Sequence, residues 1–207
     1  MMLKALVSFC LATLLCAGGA LADPGTPRDR VETASREIMT MLNSQEFKDP
    51  ATKAGVRKQL EGKVMEFFDF EEFSSRTVGP RWKQFTPDQK QDFITAFTDL
   101  LRNSYIDTLD SYNGQQIAYV GEVSSDGGSR VEVRMVFKAQ QDYPVAFRML
   151  VKNDAWVVYD VIIENVSMIK NYREQFRDVL AKGSPDSLIE RVRAKAAEQA
   201  AAKAAAK

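Results

Sequence analysis

The sequence predicts an α+β domain in which N-terminal and C-terminal helices pack on a curved antiparallel sheet of about four strands. Three observations predict it. Apolar residues recur at helical spacing through the first half of the chain, they alternate with polar residues between positions 116 and 163, and helical spacing returns after position 167. Strands that follow one another across short turns make a meander, so the sheet is antiparallel.

Ahead of these elements the chain reads as an export signal. Lys4 precedes an apolar run over 5–17, and Gly18-Gly19 with Ala20-Leu21-Ala22 supplies the small residues of a cleavage site, so 1–22 is expected to be removed after Ala22. The run is too short to remain as an anchor. Phe9 and Leu15 precede Cys10 and Cys16, where a lipoprotein signal needs a small residue. Positions 23–193 are expected to form a single domain, followed by a flexible, helix-prone Ala/Lys tail over 194–207.

Thr26-Pro27-Arg28-Asp29 opens the first helix with a capping Thr, a Pro at the first helical position and an acid in the first turn, and Val31, Ala34, Ile38, Met41 and Leu42 share one face. Asp49-Pro50 restarts the chain as a second helix striped by Val56, Leu60, Val64 and Phe67/Phe68. A short helix over 69–78 carries Phe70 and Phe73 and stops at Gly79-Pro80. Thr86-Pro87-Asp88-Gln89 has the form of a capping box. The long helix it opens carries Phe93, Phe97, Leu100, Leu101, Tyr105, Leu109 and Tyr112 before Asn113-Gly114.

The period then changes to two. A strand over 116–123 leads into the turn cluster 124–128; Val131, Val133, Met135 and Phe137 alternate with charged residues, as do Val145, Phe147, Met149 and Val151 after Tyr143-Pro144. Asn153-Asp154 suits a tight hairpin. The run 156–163 is almost continuously apolar, which predicts a strand covered on both faces. Helices follow over 167–180 and 185–193.

Composition narrows the chemistry. The sequence has no histidine, and both cysteines lie in the export signal, so the mature chain lacks the side chains most used by hydrolases, thiol enzymes and zinc sites and cannot form a disulfide. No metal and no cofactor are expected. The chain has 28 Lys and Arg against 28 Asp and Glu and loses one cation, Lys4, with the signal; a near-neutral surface excludes nucleic acid as the partner. Of 12 Phe, all but Phe9 remain, with six Tyr and two Trp. These aromatics fit ordinary core packing, and they also fit an apolar cavity of roughly 300–1,000 Å³ held open between the long helix and the sheet. Periodicity does not choose between the two.

The run Val78-Gly79-Pro80-Arg81-Trp82-Lys83-Gln84-Phe85-Thr86-Pro87-Asp88-Gln89, followed by Phe93, Phe97, Leu101 and Tyr105, resembles the first signature of the MlaC, or toluene-tolerance, family of periplasmic phospholipid carriers. The second signature is similar to Trp156-Val157-Val158-Tyr159-Asp160-Val161-Ile162-Ile163-Glu164-Asn165-Val166-Ser167, running into Asn171-Tyr172-Arg173-Glu174-Gln175-Phe176. One departure stands out: Asn165 occupies a position where the family usually has Gly, and Asn is the next most tolerant residue of a left-handed turn.

The resemblance implies a periplasmic carrier that takes phospholipid between an outer-membrane lipoprotein and porin complex and an inner-membrane ATP-driven transporter, so maintaining outer-membrane lipid asymmetry; a carrier that meets two different membranes gains by being a monomer, which is the state expected. On this reading Phe93, Phe97, Leu101 and Tyr105 form a helical wall of the lipid pocket, Val133, Met135, Phe147 and Met149 a sheet wall, and Tyr159 and Val161 its back. Arg81, Lys83 and Arg102 are the basic candidates for the head group. No catalytic residue is expected.

Asp160, inside an apolar strand, must be paired, hydrogen-bonded or at an edge. It reads either as an anchor for the following turn or as a general base beside Tyr159 in a cone-shaped pocket. Three classes therefore stay open: a lipid carrier, a small isomerase-like or hydrolytic enzyme, and an interaction protein with a filled core.

Overall fold

The computed structural model describes residues 24–105, 112, 114–138 and 141–205. The expected signal peptide and the far end of the long helix, with Leu109 and Asn113, lie outside the described residues. Seven α-helices and a five-stranded sheet are described: α1 (Pro27–Asn43), α2 (Gln45–Lys48), α3 (Lys53–Phe67), α4 (Phe70–Val78), α5 (Pro87–Tyr105), β1 (Gln116–Ser125), β2 (Arg130–Lys138), β3 (Tyr143–Lys152), β4 (Ala155–Ile163), β5 (Val166–Ser167), α6 (Met168–Lys182) and α7 (Pro185–Ala205). The sheet order is β1-β2-β3-β4-β5, each neighbour antiparallel. Among the described residues no helix is long and apolar enough to cross a membrane.

The helix starts follow their capping chemistry. The Asp29 amide donates to Thr26 Oγ1 at 3.0 Å. At α5 the Gln89 amide donates to Thr86 Oγ1 and the Thr86 amide donates to Gln89 Oε1, at 3.2 and 3.0 Å, so two otherwise unpaired N–H groups are satisfied reciprocally. Thr86→Ala is expected to cost about 1 kcal/mol in urea unfolding. Asp69 caps α4 through the Glu72 amide at 3.0 Å and donates its own amide to Val158 O at 2.8 Å, which ties the α3–α4 junction to β4.

Two large apolar interiors result, beside a smaller cluster of Leu42, Phe47, Val56 and Leu60 between α1, α2 and α3. One lies between the sheet and α1 and α3, where Val31, Phe67, Val131, Val133, Met135, Met149, Trp156, Val158 and Val161 are buried. α1 is strapped across it: Trp156 Nε1 donates to Gly25 O at 3.0 Å and Arg30 Nε to Trp156 O at 3.3 Å. The other interior is helical. Phe73, Phe93, Phe97 and Phe176 join α4, α5 and α6, with Phe93 and Phe97 fully buried and 5.5 Å apart between ring centroids. Phe97→Ala removes a ring that contacts Phe73, Phe93, Tyr172 and Phe176 and is expected to cost about 3–5 kcal/mol of unfolding free energy.

Three sequence expectations change. A short helix, Gln45–Lys48, precedes α3, capped by Ser44 Oγ, which accepts from the Phe47 amide at 3.1 Å. A fifth strand of two residues, Val166–Ser167, follows Glu164-Asn165, both left-handed with φ 49° and 67°, so Asn165 adopts the turn geometry that Gly otherwise favours. The Ala/Lys segment expected as a flexible tail continues α7 to Ala205: Ala196 is buried against the helical interior, Asn103 Nδ2 donates to Ala196 O at 2.9 Å, and Gln199 meets Ser104. Helix propensity alone leaves such a segment fraying, whereas packing on α5 holds it.

The second face of the sheet carries a charged ladder. Glu132 accepts from Arg134 at 2.8 Å and from Arg148 at 3.1 Å. Burial works against its charged form, but these two guanidinium groups outweigh it and hold the Glu132 carboxyl below its ordinary value. A depressed folded-state value means that the contribution is complete above the unfolded carboxylate value of about 4.3 and is lost as pH falls through the lower folded one. Glu132→Gln is therefore expected to make the melting temperature fall less steeply below about pH 4.3 than in the wild-type chain, in an acid titration followed by circular dichroism.

Candidate functional site

An apolar cavity of about 390 Å³ opens where α3, α4 and α5 meet the sheet and the start of α6. Phe68, Phe70 and Phe73 line one side, Leu101 and Tyr105 another, and Phe147, Val161 and Met168 the floor. Its mouth is marked by large apolar side chains left in solvent, Met65 at 52% exposure and Tyr105 and Ile163 at 39% each. Glu61, Thr98 and Arg102 are the polar groups in its wall, and Arg102 is held by Asp99 at 2.6 Å. A volume of this size, mostly apolar and polar only at a few points, suits an aliphatic or aromatic ligand.

The placement follows from the chain's turns. Phe67 and Phe68 end α3 on opposite sides: Phe67 packs edge-on to Phe147 at 5.7 Å inside the sheet interior, while Phe68 stacks toward Phe70 at 5.8 Å along the cavity. On β4 a bulge does comparable work. Arg148 pairs with Asp160 and Met149 with Val158, so Tyr159 is the extra residue. The extra residue turns Tyr159 to the helical interior and leaves Val161 facing the cavity.

Of the residues expected to wall a lipid pocket, Leu101, Tyr105, Phe147 and Val161 line this cavity. The others lie elsewhere. Phe93 and Phe97 are buried in the helical interior, and Tyr159 is buried there with the Arg76 guanidinium 4.3 Å above its ring. Val133, Met135 and Met149 are packed shut between the sheet and α1 and α3. Arg102 is the one head-group candidate in the wall; Arg81 and Lys83 sit exposed on the 3-10 turn Gly79–Gln84. Sequence reasoning missed Met65, Phe68, Ile163 and Met168. A signal existed for one of them, because Met65 is a large apolar residue off the buried stripe of Val56, Leu60 and Phe67.

Asp160 is only 1% exposed, and its carboxylate is committed. Oδ2 accepts from Ser167 Oγ at 2.7 Å and from Arg148 Nη1 at 3.3 Å, and Oδ1 accepts from the Ile169 amide at 3.1 Å. Ser167 in turn caps α6 through the Lys170 amide at 3.2 Å. The group thus fixes the β4–β5 turn to the start of α6, and it does not line the apolar cavity. In the helical interior the phenol of Tyr172 is raised above its ordinary value by burial first and by Tyr105 second. Among the described residues no group of three or more acidic side chains could hold a metal ion.

A family model described as MlaC protein matches residues 32–194. The chain is 21% identical over 198 residues, 93% of this chain and 92% of the relative, to the intermembrane phospholipid transport system binding protein MlaC of Haemophilus influenzae. It is 28% identical over 167 residues, 78% of this chain and 76% of the relative, to the toluene tolerance protein ttg2D of Pseudomonas putida. In three dimensions it is similar to a phospholipid-binding protein of Ralstonia solanacearum solved in complex with a phospholipid, with a TM-score of 0.75 and 25% identity across 86% of this chain and 99% of that one.

Proposed function

For this chain, which belongs to the MlaC protein family, we propose the role of a phospholipid carrier: it shields acyl chains in the cavity between α3, α5 and the sheet and moves them through an aqueous compartment. The observation that carries the reading is the apolar cavity itself, open at a rim of exposed Met65, Tyr105 and Ile163. Two acyl chains hold on the order of 30 methylenes, and at about 0.8 kcal/mol each their exposure to water costs roughly 24 kcal/mol. A wall of Phe, Leu, Val and Met comes near to the bilayer interior in polarity, so uptake and release stay close to balance and the protein needs no chemistry of its own. Met65 and Met168 at the mouth and floor add side chains that can follow tails of different shape.

The carrier works in the periplasm as a monomer, exported by the segment over 1–22. It receives lipid from, or delivers it to, an outer-membrane lipoprotein and porin complex and an inner-membrane ATP-driven transporter, and so maintains lipid asymmetry of the outer membrane. Similarity to proteins named for phospholipid transport and phospholipid binding supports this reading. Asp160 favours it over an enzyme, because both carboxylate oxygens are occupied by structural donors away from the apolar cavity. Denaturing mass spectrometry of the purified chain tests it: phospholipid in near-stoichiometric amount is expected, and a chain that brings none and takes none from vesicles rules the carrier out.

A further inference from the structure

We propose that a second cavity, on the opposite face of the sheet, binds a phosphate-bearing anion. It encloses about 400 Å³ where the polar face of the sheet meets α4 and α6. The two cavities share strands but not chemistry. On β3 and β4, Phe147 and its partner Val161 line the apolar cavity, and the adjacent pair Arg148 and Asp160 lines the second. Alternation along a strand sends neighbouring side chains to opposite faces, so a head group attached to tails in the first cavity is separated by the sheet from the second. The inference therefore goes beyond the carrier reading.

Five cations line this space, Arg76, Arg130, Arg148, Lys170 and Arg173, against two carboxylates, Glu132 and Asp160. Both carboxylates are already committed. Asp160 holds Ser167, the Ile169 amide and Arg148, and Glu132 holds Arg134 and Arg148. Arg76 and Arg130 are paired with carboxylates beyond the lining, so the uncompensated charge rests with Lys170 and Arg173. The Arg76 guanidinium lies 4.3 Å over the Tyr159 ring and is fixed by Glu72, Arg173 Nε donates to Arg76 O at 2.9 Å, and Arg130 is steadied by Asp126 at 2.8 Å. Among the described residues neither Lys170 nor Arg173 forms an ion pair with a carboxylate.

One concave site is thus left with an excess of two cations, Lys170 and Arg173, beside three paired arginines. Such a cluster repels itself and draws an anion. Fixed guanidinium forks beside the exposed Lys170 ammonium suit the tetrahedral oxygens of phosphate, which accept bidentate and point-charge donors together. The shared chemistry is a phosphate group, whether carried by a lipid head group or free in solution.

The test is a titration of the isotope-labelled full chain with inorganic phosphate at constant ionic strength, followed by amide NMR. Saturable shifts are expected at Ser167, Ile169 and Lys170. The double variant Lys170→Gln/Arg173→Gln is expected to weaken binding about tenfold or more, with bound phospholipid per folded chain unchanged. Arg130→Gln serves as an independent variant with the same expected direction. Tighter binding of glycerol phosphate than of inorganic phosphate, with flotation on phosphatidylglycerol vesicles that the double variant loses, assigns a lipid head group; equal binding of the two small anions without flotation assigns free phosphate. Shifts that fail to saturate, that sodium chloride reproduces, or that persist with unchanged affinity in both variants overturn the proposal. Because bound phospholipid is measured on the same samples, failure here is distinct from failure of the carrier reading.

Discussion

Phe147→Asp is expected to yield a folded chain that carries less than about a tenth of the wild-type phospholipid, a loss that needs only about 1.4 kcal/mol of binding free energy. Phe147 sits on β3 in the cavity floor, with its ring edge-on to Phe67. An aspartate there brings a hydrated group into a space lined by Phe68, Leu101, Val161 and Met168, and displacing its water for acyl chains costs several times that amount. Phe147→Leu keeps the wall apolar and is expected to retain most of the lipid. Lipid per chain is read by denaturing mass spectrometry, with melting temperature as the check on folding. Phe97→Ala provides the contrast, since Phe97 is buried in the helical interior: it lowers stability while the folded fraction still carries lipid. If Phe147→Asp kept its lipid and Phe97→Ala lost it, the pocket would lie between α5 and α6 and not against the sheet.

The second large effect concerns Asp160. Asp160→Ala leaves the Ser167 hydroxyl and the Ile169 amide without their acceptor, in a site that is almost wholly buried, and frees Arg148 from its deeper partner. A buried donor left unpaired costs about 1–3 kcal/mol, so the substitution is expected to lower unfolding free energy by about 3 kcal/mol, measured in urea. Asp160→Asn keeps one acceptor oxygen and is expected to cost less. Neither change is expected to alter lipid per folded chain, because the carboxylate does not line the apolar cavity. A general base would behave in the opposite way, with Asp160→Asn abolishing turnover at little cost in stability. Recovery of a stable Asp160→Asn chain that had lost an activity would return the enzyme reading.

Much of the fold was legible because short-range chemistry decides it. Thr26-Pro27 and the Thr86–Gln89 box start helices in the structure as their residue types require, and Asn153-Asp154, with φ 51° and 58°, makes the tight turn expected between β3 and β4. The alternation of Val131, Val133 and Met135 likewise identified a buried face. The candidate site was read less completely. Leu101, Tyr105, Phe147 and Val161 were found from inward-facing periodicity, but the same rule also selected Phe93, Phe97, Val133, Met135 and Met149, which fill the two packed interiors. Periodicity reports that a side chain faces inward and carries no information on what it meets there.

By itself, then, the sequence determined the order and period of the elements, the capping of the helices, the absence of histidine chemistry, and the family to which the chain belongs. Tertiary structure alone decided which aromatic residues close on one another and which stand apart. Phe73, Phe93, Phe97 and Phe176 meet because α4, α5 and α6 converge, whereas Phe68 and Phe147 border open space because α3 ends one residue before Phe68 and β4 bulges at Tyr159. The physical reason is that burial is driven by area removed from water and is non-directional. Any apolar face gains by packing, and only the angles at which helices and sheet are held determine where a gap is left.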